Sequence, residues 1–234
     1  MNKIVHQIEL LVINLVVFLL PAVTARCQPA GLNKYGLRVI MDTRELQKSC
    51  RSLPGKKMVI LAPSPGLVLD LRYSTPNNFM RQALYPSLRY TFLRKAAADA
   101  LQQVSVELGG KGIGLKIFDA YRPYSVTEKM WELVKDDRYA ADPRKGSGHN
   151  RGIAVDLTLL LLNNGQELDM GTGFDNFSDT AHHAFTALPA VVLQNRQLLK
   201  STMEKYGFKA LDTEWWHYYL PDSNNFELLD IPFA

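Results

Sequence analysis

Four residues near two short segments have the types that water-activating chemistry needs: His149 and Asp156 in one, Glu214 and His217 in the other. A catalytic zinc ion typically takes three protein ligands from His, Asp or Glu and leaves one position open for water. His149, Asp156 and His217 would supply two imidazoles and one carboxylate. Glu214 would then remain as the base that takes a proton from the activated water. The helical H-E-x-x-H zinc peptidases divide the labour in the same way with a different spacing. Asp156 sits inside the most apolar run of the chain, Ile153 to Leu162 (IAVDLTLLLL), and a buried carboxylate without a partner costs several kcal/mol. A metal, Arg151 or backbone N–H groups could each satisfy it, and these residues alone leave the three open. Trp215 and Trp216, between Glu214 and His217, read on their own as core or stacking surface. Of the five histidines, two fall in these segments; His182 and His183 form a separate pair.

The elements that must hold these groups follow from periodicity and turn residues. The Gly-Ser-Gly-His149 segment reads as a loop, and Ile153 to Leu162 as a buried central strand ended by Asn163-Asn164-Gly165. Trp216 to Leu220 reads as a last strand before Pro221. Leu115 to Phe118 is a short apolar run ahead of the turn Asp119-Ala120-Tyr121-Arg122-Pro123, and Leu67 to Tyr73 alternates as a strand does. Apolar residues from Leu88 to Leu108 recur at helical spacing until Gly109 and Gly110. Ser125 with Glu128 makes a capping box, which predicts a helix from Val126 to about Val134. A further helix is predicted from Pro189 to Lys205, ended by Gly207. The whole is expected to be α+β: one domain, a small, mainly antiparallel sheet packed against helices, with the metal site on the sheet.

The N-terminus reads differently from the rest. Lys3, a mostly apolar run from Ile8 to Leu20, and Val23 and Ala25 ahead of Arg26 form the pattern of a secretory signal. The run is short for a bilayer span, which needs about 20 residues. Residues 1–25 are therefore expected to be a cleaved signal peptide, with no membrane span afterwards and a protein exported to the periplasm or cell envelope. Residues 26–66, with prolines at 29, 54, 63 and 65, read as a loosely structured lead-in, and residues 67–234 as the catalytic domain. Cys27 and Cys50 could be bridged in an oxidising compartment or stand as two thiols; sequence leaves both open. The net charge of +4 is spread along the chain and is too mild to suggest a nucleic-acid partner.

Five ordered blocks give the chain a family resemblance. Ser147-Gly148-His149-Asn150-Arg151-Gly152-Ile153-Ala154-Val155-Asp156 resembles the S-x-H-x-x-G-x-A-x-D signature of the zinc peptidase family that contains VanX-type D-alanyl-D-alanine dipeptidases and related carboxypeptidases. Glu214-Trp215-Trp216-His217 resembles its second half, E-x-W-H. Phe118 to Pro123, Leu71 to Phe79, and Asp169 to Asp175 followed by His182-His183 look like three more blocks, and the last two are dipeptidase-like. The resemblance implies one zinc ion per chain on His149, Asp156 and His217, with Glu214 as general base and then acid. It implies that Arg122 stabilises the oxyanion, although an Arg122–Asp119 structural pair is the plainer expectation. Asp175 would accept the ammonium of a small D-amino-acid dipeptide, and Ser147, Tyr73 and Tyr85 would line the pocket near its ends. His182 and His183 would support the site without binding metal, and Asn150, where a serine is common, is expected to matter little. A D,D-carboxypeptidase, a non-catalytic hedgehog-like zinc-binding domain and a metal-free structural domain are the alternatives.

Overall fold

The computed structural model describes residues 31–233, residue 52 excepted. The expected signal peptide, its cleavage point and Cys27 lie outside the described residues. In chain order the elements are β1 (Val39–Ile40), α1 (Thr43–Ser49), β2 (Met58–Leu61), β3 (Leu67–Leu69), β4 (Thr91–Arg94), α2 (Lys95–Gly109), β5 (Ile113–Asp119), α3 (Tyr124–Val134), α4 (Gly148–Arg151), β6 (Ala154–Leu161), α5 (Ala190–Lys205), β7 (Lys209–Leu211), β8 (Glu214–Tyr219) and β9 (Leu228–Leu229). Five of the strands make the main sheet in the order β3-β5-β6-β8-β7. Only β3 and β5 run parallel within it, and the other neighbours are antiparallel. The fold is the expected α+β one.

One face of this sheet is dry. Leu101, Val104 and Leu108 of α2 and Leu199 and Met203 of α5 are buried against Leu115 and Ile117 of β5 and Leu157 and Leu159 of β6. Each such side chain, fully buried, contributes roughly 1.5–3 kcal/mol, so the sheet is a firm platform for whatever its other face carries. Among the described residues no helix is long and apolar enough to cross a membrane.

Three local expectations are corrected. The stretch expected to be helical from Leu88 begins instead with β4, which pairs antiparallel with β2 from Met58↔Arg94 to Leu61↔Thr91; the helix starts at Lys95. The same pairing gives regular structure to the region expected to be a loose lead-in, where α1 is capped by the Asp42 side chain and β1 pairs with β9. The Ser125–Glu128 capping box does not form. Asp230, near the chain end, accepts instead from the Ser125 backbone N–H at 3.0 Å and its hydroxyl at 2.7 Å, while Glu128 pairs with Lys34 at 3.0 Å. Cys50 is buried, its thiol donating to the Lys56 carbonyl at 3.2 Å.

Candidate active site

The centre of the site is stitched across three adjacent strands. In the register of β6 and β8, Asp156 stands directly opposite His217, and directly opposed residues share a face. On the other side of β6, Ile117 of β5 faces Leu157, but the next pairing sets Asp119 opposite Asp156. One extra residue in β5 therefore turns Asp119 off the dry face and onto the face of Asp156, the re-aiming that a β-bulge performs.

His149 comes from a short helix rather than the expected loop. Ser147 caps α4: its hydroxyl accepts from the Asn150 backbone N–H at 3.1 Å, and the Asn150 side chain accepts from the Ser147 N–H at 3.0 Å. Gly152 ends the helix at φ +70°, a left-handed conformation that favours glycine. Asn150, expected to matter little, is fully buried. Its amide donates to the Arg122 carbonyl at 2.9 Å and to Thr127 Oγ1 at 2.8 Å, tying α4 to α3 and to the backbone of Arg122. Arg94, also fully buried, donates to the Arg151 carbonyl at 2.8 Å and the Lys56 carbonyl at 2.6 Å and anchors the same turn from below.

His149, Asp156 and His217 then converge. His149 Nδ1 lies 2.7 Å from the Ala120 carbonyl, which can only accept, so Nδ1 carries the proton and Nε2 offers its lone pair to the site. Nε2 is 3.1 Å from His217 Nδ1 and 3.3 Å from Asp156 Oδ2, and His217 Nδ1 is 2.8 Å from Asp156 Oδ1. All three ligand atoms fall within 4.8 Å of one another. Two ring nitrogens and a carboxylate aimed at one point, with one imidazole oriented by a backbone carbonyl, form a donor set that suits zinc. Burial pushes the Asp156 carboxyl up, but His149 and His217 more than offset this and hold it below the usual carboxylate range, which is the charge state a ligand needs.

Around this centre a cavity of about 310 Å³ is lined by Tyr73, Arg122, Ser147, Asp175, Glu214 and Trp216, among others. Glu214 Oε2 lies 4.0 Å from His217 Nδ1, beside the triad and outside it. Burial first, then the carboxylates of Asp156 and Asp175, hold its carboxyl well above the usual range. The Arg122 guanidinium is 4.7 Å above the Tyr73 ring and donates to Asp119 Oδ2 through Nε at 2.8 Å and Nη2 at 2.7 Å. Burial disfavours its charge, but Asp119, Tyr73 and Asp156 more than restore it. The plain structural pair and the site role therefore coexist, because Asp119 fixes the guanidinium 3.8 Å from Asp156. Asp175, at φ +59°, accepts from the Tyr73 hydroxyl at 2.9 Å through Oδ1, while Oδ2 is buried with no partner. Burial is the main reason its carboxyl is pushed up to about 7, with Tyr73 acting the other way.

The residues expected at the site are thus brought together, with one exception. Tyr85 does not line the cavity; it is buried behind it and donates to Asp119 Oδ1 at 3.0 Å. His182 and His183 do not line the cavity, but His183 packs against Tyr218 of β8, beside His217, with ring centroids 6.2 Å apart. His183 borders a separate hollow with Thr186, Leu193 and Lys200, where burial and the charges of Lys200 and Arg196 push it down to about 4. Asp119 is the residue whose importance the sequence understated. It holds Arg122 and Tyr85 and sits 3.5 Å from His149 Nδ1. A carboxylate closing the apolar run Leu115–Phe118 was the available signal, the same argument that singled out Asp156.

Known proteins resemble this chain over most of its length. The family model described as D-ala-D-ala dipeptidase matches residues 57–233. A D-alanyl-D-alanine dipeptidase of Escherichia coli is 36% identical over 170 residues, 73% of this chain and 87% of its own. One of Enterococcus faecalis is 34% identical over 179 residues, 67% of this chain and 87% of its own. Among solved structures, an LD-carboxypeptidase described for its peptidoglycan recognition is a loose match: TM-score 0.38, 23% identity, covering 68% of this chain and 69% of that one.

Proposed function

The chain belongs to the D-ala-D-ala dipeptidase family and is a metallopeptidase, and from that premise we propose that it binds one zinc ion and hydrolyses free D-Ala-D-Ala to two D-alanines. The observation that carries the substrate reading is Asp175 Oδ2, buried without a partner in the wall of the cavity that holds the His149–Asp156–His217 cluster. An orphaned carboxylate oxygen in a water-poor pocket is a receptor for a cation, and a dipeptide carries its ammonium a few bonds from the scissile carbonyl. A charge-assisted hydrogen bond there is stronger than a neutral one. The D,D-carboxypeptidase alternative would leave this carboxylate facing an uncharged amide.

The zinc ion, when bound by His149, Asp156 and His217, supplies Lewis acidity that polarises the carbonyl and makes water acidic enough to lose a proton near neutral pH. Glu214 takes that proton as water attacks the carbonyl carbon, and delivers it to the amine as the C–N bond breaks. Arg122, locked by Asp119 and Tyr73, offers N–H donors to the oxygen that gains charge in the transition state. The Ser147 hydroxyl, its oxygen already accepting from Asn150, retains its hydrogen to donate to a substrate carboxylate. Glu214 and Arg122 together weigh against a non-catalytic binding domain, which would need neither.

The test is side-by-side hydrolysis of D-Ala-D-Ala, L-Ala-L-Ala and a pentapeptide ending in D-Ala-D-Ala, at measured zinc content. We expect turnover of the first at one zinc per chain and little of the pentapeptide. Comparable trimming of the pentapeptide would make the carboxypeptidase the better reading. A zinc-loaded protein that turns over none of the three would make it a binding domain. Export to the periplasm or cell envelope, with residues 1–25 removed, is part of the same proposal.

A further inference from the structure

The wall of the cavity that carries Asp175 also carries aromatic rings, and these pack with a further ring so that three separate loops meet there. Phe79 stands edge-on to Tyr73 with ring centroids 6.1 Å apart, and Tyr73 is the residue that donates to Asp175. Phe177, two residues past Asp175, meets Phe79 at 5.1 Å and stacks on Tyr139 at 4.7 Å and 28°. Tyr139 and Phe79 both line the cavity. Tyr139 is held from its other side by Arg138, whose guanidinium lies 5.0 Å from the ring and is itself paired with Asp136 at 2.7 Å. Aromatic pairs of this geometry attract one another beyond the effect of their buried area, so the three rings hold one another in place although each is only half-buried.

We propose that Phe79, Phe177 and Tyr139 form a clasp that closes the amino end of the substrate pocket and sets the length of peptide accepted there. This rests on the dipeptidase reading and adds to it a steric element separate from charge. Asp175 alone would penalise a blocked amine by leaving a carboxylate unpaired. The clasp excludes the extra atoms themselves, because any group attached to the substrate nitrogen must extend past Asp175 into the space the rings fill.

The two elements separate by mutation. Wild type, Phe177→Ala and Tyr139→Ala are compared on D-Ala-D-Ala and N-acetyl-D-Ala-D-Ala, with Phe177→Leu as the milder change and thermal unfolding as a check on folding. The acetylated compound releases D-alanine from one defined register. The ratio of kcat/KM on the acetylated to the free dipeptide is expected to rise at least tenfold in Phe177→Ala and Tyr139→Ala, and less in Phe177→Leu. Loss of packing alone would lower both substrates together and leave the ratio where it was. An unchanged ratio in all three folded variants overturns the clasp even if wild type cleaves D-Ala-D-Ala well. Absence of D-Ala-D-Ala turnover in wild type refutes the parent reading, and the clasp falls with it.

Discussion

Replacing Asp175 by Asn should make the metal-free protein more stable and the loaded enzyme much worse. In the folded chain burial pushes the Asp175 carboxyl from the usual value of 3.8 up to about 7. Its raised value means that the unfolded chain loses this proton first as pH rises. Stability contributed below 3.8 is therefore lost progressively up to about 7. The full gap corresponds to about 4 kcal/mol at most, of which about 3 kcal/mol falls between pH 5 and pH 8. Asn keeps an acceptor for the Tyr73 hydroxyl but leaves its own amide hydrogens unpaired, a cost of about 1–3 kcal/mol that applies at both pH values and cancels from the comparison. Urea unfolding of chelator-treated wild type and Asp175→Asn at pH 5 and pH 8 reads the difference directly. The variant should gain up to about 3 kcal/mol on wild type between the two conditions. With D-Ala-D-Ala the same change leaves a buried ammonium without its partner, worth about 3–5 kcal/mol or about two to four powers of ten in kcat/KM, while the acetylated dipeptide should be little affected. Parallel stability changes in the two proteins, or equal losses on both substrates, would refute the argument that this carboxylate is strained when empty and satisfied by an ammonium.

Glu214→Gln should retain metal and lose about 10²–10⁴ in turnover, since the amide cannot take a proton; near-normal rates would move the base elsewhere. His217→Ala should lose most of the metal, measured by metal analysis of protein purified without added zinc, and a full equivalent in that variant would contradict the ligand set. Tyr85→Phe removes the donor to Asp119 Oδ1 without touching the cavity, so unfolding should show a loss of about 1 kcal/mol and kcat should fall more than KM rises. Protein recovered from the cell envelope should begin near Arg26 on N-terminal sequencing, and an intact Met1 would contradict cleavage.

The parts of the site legible in the sequence are those in which type and neighbourhood carry the physics locally. Asp156 in an apolar strand demanded a partner before any fold was known, and Glu214 and His217 stood close enough together to be read as one unit. What escaped notice depended on chain segments far away. Residues 91–94 fit a helical spacing as well as they fit a strand. Their hydrogen bonds go to β2, more than thirty residues earlier, and no local pattern announces that partner. Ser125 and Glu128 satisfied the capping-box rule, yet Asp230 took the cap from the other end of the chain. The resemblance puts Tyr85 in the pocket, but a tyrosine in a loop carries no sign of which way it faces, and its hydroxyl turns to Asp119 behind the cavity. Asn150 looked interchangeable because the carbonyl and hydroxyl it bridges belong to other elements.

The bulge in β5 makes the length of that strand as informative as its composition. Turn residues such as Asn163-Asn164-Gly165 can gain or lose a position at little cost, because the solvent side absorbs the change. Between Ile117 and Asp119 a one-residue deletion would remove the buried ring of Phe118 and straighten the strand, keeping Asp119 opposite Asp156. Straightening the strand without that deletion would instead return Asp119 to the face occupied by Leu157, setting a carboxylate among aliphatic side chains and stripping Arg122 and Tyr85 of their shared acceptor. Natural and engineered relatives that keep this chemistry should therefore change bulge and residue count together: a strand shorter by one residue here should also be a regular one.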